Sequence, residues 1–159
     1  DGPVYIRLGG RVEEPSVGDP ARPFRVGKAT TLRPGNDLAI IACGAMVHMA
    51  LLASDALKAE GIAARVIDMH TIKPLDRDAI LTAAAETRGI VTAEEHHLTG
   101  GLGGAVAELL AIEHPTRMRM VGMPDEFAVV GPTPKVRAKY GMSTDGIVAA
   151  CRELLGVIR

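Results

Sequence analysis

The chain has 159 residues and is 47% hydrophobic, enough for one compact domain of α/β size with a real core and too little for a second. Its 18 Lys plus Arg set against 19 Asp plus Glu leave a formal net charge of -1 with no basic block, so nucleic acid is not an expected partner. The 2 cysteines, Cys43 and Cys151, have no CxxC or Cys/His ligand spacing and read as buried thiols of a reducing compartment.

No apolar run is long enough to span a bilayer and no signal peptide opens the chain. A cytoplasmic protein without a membrane partner is therefore expected, and the opening Asp1-Gly2-Pro3 reads as a cut between structural elements. Residues 4–8 form a short β-prone run. Residues 9–25, rich in proline, glycine and charge without apolar periodicity, read as an extended, weakly packed linker. Pro34-Gly35-Asn36-Asp37 is a turn signal between residues 29–33 and the apolar run 38–43, and it predicts a hairpin with one antiparallel strand. Met46, Ala50, Ala53 and Leu57 recur at helical spacing, and Gly61 ends that helix.

Residues 65–69 are the next predicted strand. An alanine-rich helix over 76–87 follows, with Ala79, Ile80, Ala83 and Ala84 inward, and then a buried strand over 89–93. Residues 103–112 are helical again, and Met118, Met120 and Val121 alternate with arginines in a strand near a sheet edge. Thr133 is predicted to cap a helix with Pro134 at its first position. Ser143 is predicted to cap a last helix whose inner face is Ile147, Cys151, Leu154 and Ile158. Strand and helix alternating over short connections give a three-layer α/β domain with a mostly parallel five-stranded sheet and one antiparallel edge strand.

In such a sheet, ligands collect beyond the carboxyl ends of strands where the strand order reverses. Two loops qualify: Gly44-Ala45 after the strand ending at Cys43, and Glu94 through Gly104 after the strand ending at Ala93. The glycines of the second can present backbone N–H groups to phosphate or form a tight strand-to-helix turn. A dinucleotide fingerprint is incomplete, because Val106 stands where the third small residue belongs. Glu94, Glu95, His96 and His97 can serve as metal ligands or an acid/base pair, as a domain or subunit contact, or as a solvated loop. Adjacent residues of an extended segment point in opposite directions, so about half of the four reach any one metal. The joint from Asp68 through Ile72-Lys73-Pro74-Leu75-Asp76 is either a substrate loop or a linker ending in a helix cap. With aromatics at only 3% and no tryptophan, stacking platforms for bases or sugars are nearly absent.

Several of these stretches, in this order, resemble one family. Gly2-Pro3-Val4-Tyr5-Ile6-Arg7-Leu8 resembles the last strand of the pyrimidine-binding domain of transketolases, above all the split type whose halves are separate chains. The joint from Asp68 to Asp76 and Thr92-Ala93-Glu94-Glu95-His96 are similar to the family's carboxy-terminal domain. So are Gly100-Gly101-Leu102-Gly103-Gly104-Ala105-Val106 and Tyr140-Gly141-Met142-Ser143. 1-Deoxyxylulose-5-phosphate synthase and the beta subunits of 2-oxo acid dehydrogenases share the pattern. The resemblance divides the chain into residues 1–8 from a pyrimidine-binding domain, a linker over 9–25 and a carboxy-terminal domain over 26–159.

It implies transfer of a two-carbon ketol unit between sugar phosphates by a homodimer using thiamine diphosphate and a divalent metal. Those groups lie between a diphosphate-binding domain with a Gly-Asp-Gly motif and a pyrimidine-binding domain with an activating glutamate. Neither motif occurs here, so the chain alone is expected to be inactive and to hold neither cofactor nor metal, with no catalytic residue of its own. Its expected role is to cover the catalytic domains and support assembly. The family's phosphate-holding arginine aligns with Gly10, which leaves Arg7 and Arg11 as candidates for the substrate phosphate. Glu95, His96, His97, Gly100 and Gly101 are the candidates for interface contacts. The alternatives are the same domain from the synthase or dehydrogenase branch, or a standalone regulatory module using the Glu94 to Gly104 loop for a small anion or a protein partner.

Overall fold

The computed structural model describes residues 2–9, 15–19, 21 and 23–157. In chain order the elements are β1 (Thr30–Arg33), β2 (Leu38–Ala42), α1 (Met46–Ala59), β3 (Ala64–Asp68) and α2 (Arg77–Glu86). There follow β4 (Ile90–His97), α3 (Leu102–Glu113), β5 (Met118–Met123), α4 (Thr133–Lys139) and α5 (Thr144–Leu155). The strands form one sheet in the order β1-β3-β2-β4-β5, with β1 antiparallel to β3 and every other pairing parallel. This is the expected three-layer α/β domain. No helix among the described residues is long and apolar enough to cross a membrane.

The central strand explains the layering. Every residue of β2 is buried, because helices cover both faces of a parallel sheet and leave no polar side to alternate with. Leu38, Ile40 and Ala42 pack with Met46, Ala50, Leu57, Ile147 and Cys151 on the face covered by α1 and α5. Ala39 and Ile41 pack with Ile80, Ala83, Leu102, Val106 and Leu110 on the face covered by α2 and α3. The helix periodicity therefore held for α1, α2 and the last helix, where the Ser143 side chain accepts from Gly146 N at 3.2 Å. Ile158 lies outside the described residues.

Three expectations need correction. Strands β1 and β2 do not form a hairpin, since β3 lies between them. The turn at 34–37 instead straddles the start of β3: Asp37 N donates to Ala63 O at 3.1 Å, Ala63 N to Asp37 Oδ2 at 2.7 Å and Arg65 Nε to Gly35 O at 3.0 Å. Residues 4–8 have no strand beside them among the described residues, so their β-prone run has no ladder to join here, and Val4, Tyr5, Ile6 and Leu8 are exposed. Pro132, not Thr133, holds the N-cap position of α4, and no side chain caps that helix. Cys151 is fully buried as expected, whereas Cys43, at the carboxyl end of β2, is only partly so. Within the predicted linker, residues 10–14, 20 and 22 lie outside the described residues. Val17 rests against the α1/α5 core, a contact that periodicity does not reveal, and the Phe24 ring sits 4.4 Å from that of His70.

The joint before α2 ends in a helix cap. Asp76 is buried and accepts from Ala29 N at 2.8 Å, from Ala79 N at 3.3 Å and from Lys28 Nζ at 3.3 Å, tying the segment before β1 to the start of α2. Burial pushes this carboxyl up, but the two backbone donors and the Lys28 ammonium outweigh it and hold it below its ordinary 3.8. A depressed carboxyl stabilises the fold above its unfolded pKa, and that contribution disappears as pH falls through the folded value. Urea unfolding across the acid range is expected to show wild-type stability falling below about pH 4 more steeply than that of Asp76→Asn. Parallel profiles would rule out the contribution.

Candidate functional site

The crossover β2-α1-β3 moves the chain toward β1, and β3-α2-β4 carries it back across β2, so the strand order reverses between β2 and β4. Ligands of open α/β sheets sit beyond the carboxyl ends of the strands at that reversal. Both candidate loops meet there: Cys43 N, just past β2, donates to Ala93 O of β4 at 3.2 Å.

Strand β4 does not stop at Ala93 but runs to His97, so Glu94, Glu95, His96 and His97 belong to a strand and not to a loop. Beside β5 the register advances from Ala93↔Val121 to His97↔Met123, leaving extra residues on β4, the mark of a bulge. The two glutamates diverge as residues of a strand must. Glu94 is 1% exposed, and its Oε2 and Oε1 accept from Leu102 N and Gly103 N, each at 2.7 Å. Those amides open α3, whose N-cap, Gly101, has no side chain to satisfy them. A carboxylate eight residues upstream performs the cap and complements the positive end of the helix.

One of the glycines follows from that cap, and the others from the turn around it. A Cβ on Gly101 would overlap the Glu94 carboxylate, and one on Gly103 would lie 2.9 Å from both Met120 Sδ and Thr92 Oγ1. Gly100 takes a positive φ of 79°. Of the two readings of this stretch, the tight strand-to-helix turn is the one found. The amides that a phosphate would need are bonded to Glu94.

Glu95 turns the other way and accepts from Arg137 Nε of α4 at 2.8 Å. Arg7 also reaches it, donating from one guanidinium nitrogen to Glu95 O at 2.7 Å and holding the other 4.0 Å from Oε2. Arg7, a candidate for a phosphate, is thus engaged by a carboxylate; Arg11 lies outside the described residues. His96 Nδ1 donates to His97 O at 2.9 Å and stands 4.0 Å from Glu94 Oε2. Tyr5, Arg7, Glu95, His96, His97 and Met142 help to line an open cleft of about 430 Å³. Arg137 is the residue that sequence reasoning missed. It sits 42 positions from its partner on a seven-residue helix, with no local pattern to single it out.

On the β2 side of the reversal, burial pushes the Cys43 thiol up to about 12, with the Glu94 and Asp68 carboxylates adding to the rise and Arg7 opposing it. Such a thiol is protonated at neutral pH and is no nucleophile. Burial also raises the Asp68 carboxyl, with His70 opposing.

Residues 27–147 match the family model described as the transketolase C-terminal domain. The chain belongs to this family. The 6-deoxy-6-sulfo-D-fructose transketolase subunit SqwH of Clostridium sp. (strain MSTE9) is 44% identical over 97% of this chain and 48% of its own length. An apulose-4-phosphate transketolase subunit of Phocaeicola vulgatus is 45% identical over 96% of this chain and 49% of its own length. A solved structure described as a split gene transketolase, inactive beta4 tetramer, matches with a TM-score of 0.86 at 42% identity, covering 92% of this chain and 48% of that one. This transketolase C-terminal domain chain therefore spans about half the length of these relatives. A 1-deoxy-D-xylulose-5-phosphate synthase of Geobacter sulfurreducens is 43% identical over 98% of this chain and 25% of its own length.

Proposed function

We propose that this chain is the carboxy-terminal domain of a cytoplasmic, dimeric transketolase-like enzyme that transfers a two-carbon ketol unit between sugar phosphates. In this reading, thiamine diphosphate and its divalent cation are held by pyrimidine-binding and diphosphate-binding domains elsewhere in the enzyme, and residues 1–8 end the first of these. When bound there, the cofactor supplies the carbanion chemistry. The domain described here packs on those domains and supports assembly. Similarity to split transketolase subunits over nearly the whole chain supports the reaction class.

The observation that carries the division of labour is the Glu94 carboxylate. It is the most buried acid at the sheet reversal, and both of its oxygens are taken by the amides of α3. Glu95 is taken by Arg137 and Arg7, and Asp76 by Lys28 and two backbone amides. A cation carrying a diphosphate needs several oxygen ligands, and the described residues include no cluster of three or more His, Cys, Asp or Glu placed to supply them. The side chains present do not fit the cofactor. What they do is hold α3, α4 and the segment around Arg7 in place.

Two measurements test the reading. Titration calorimetry of this chain with thiamine diphosphate and magnesium is expected to give no saturable binding. One-to-one binding at micromolar affinity would make the chain a cofactor-binding domain and overturn the proposal. The complete enzyme is expected to transfer a ketol unit from xylulose 5-phosphate to ribose 5-phosphate in a coupled assay. Formation of 1-deoxyxylulose 5-phosphate instead would move it to the synthase branch.

A further inference from the structure

We draw no further inference here: the strongest candidate, the exposed apolar patch of Phe24, Val26 and Ile72 where the segment before β1 lies against the joint before α2, carries nothing because nothing in the structure shows what covers it.

Discussion

Glu94→Ala is expected to destabilise the domain by about 3 kcal/mol, because two amides at the start of α3 lose a charged acceptor in a site closed to water. Gly101→Ala is expected to cost about 2 kcal/mol by the same route, since its methyl group occupies the space of the carboxylate and drives it off the amides. Gly101 has an ordinary extended backbone, with φ -98° and ψ -155°, so no conformational penalty attaches to the substitution itself. The two changes are therefore strongly non-additive. In a Glu94→Ala background, Gly101→Ala should cost less than about 0.5 kcal/mol. Urea unfolding of the two single variants and the double variant measures the cycle, and additive losses would show that the glycine is not there for the carboxylate.

The second large effect is expected at Gly35. A Cβ there lies 2.5 Å from Ala63 O, Ala64 C and Arg65 N, all backbone atoms at the start of β3. Backbone cannot swing aside as a side chain can, so Gly35→Ala must lift the 34–37 turn away from β3. It then breaks the reciprocal pair of Asp37 with Ala63 and the bond from Arg65 Nε. The expected loss is about 3 kcal/mol, with exchange at residues 63–65 rising first. Gly44→Ala is the control: its positive φ of 57° is strained for alanine but its surroundings are open, so about 1 kcal/mol is expected. If Gly35→Ala costs no more than Gly44→Ala, the crossing turn is looser than its hydrogen bonds imply.

These two glycines show how the sequence could be read and where reading stopped. Pro34-Gly35-Asn36-Asp37 announces a turn, because each residue type favours one locally. Which strand lies beneath that turn is decided by β3, which enters the sheet some thirty residues later and takes the place beside β2 that a hairpin partner would hold. The glycines from Gly100 to Gly104 likewise announce a close approach of backbone. What Gly101 approaches is the Glu94 carboxylate on β4, and what Gly103 approaches is Met120 and Thr92.

The sequence alone determined the layers and the elements that carry local periodicity. The continuous apolar run of β2, the helical spacing of Met46, Ala50, Ala53 and Leu57, and the Ser143 cap are each written within a few residues, and local sterics and burial act on that scale. It also placed the polar cluster at the reversal of strand order, since alternation of strand and helix sets the topology. The tertiary structure alone decided what the cluster does. Glu94 faces a helix end that has no side-chain cap of its own, while Glu95 faces an arginine on α4 and another near the start of the chain. Those partners stand 8, 42 and 88 positions away. A carboxylate's role is set by the donors that reach it in space, and sequence separation carries no record of them.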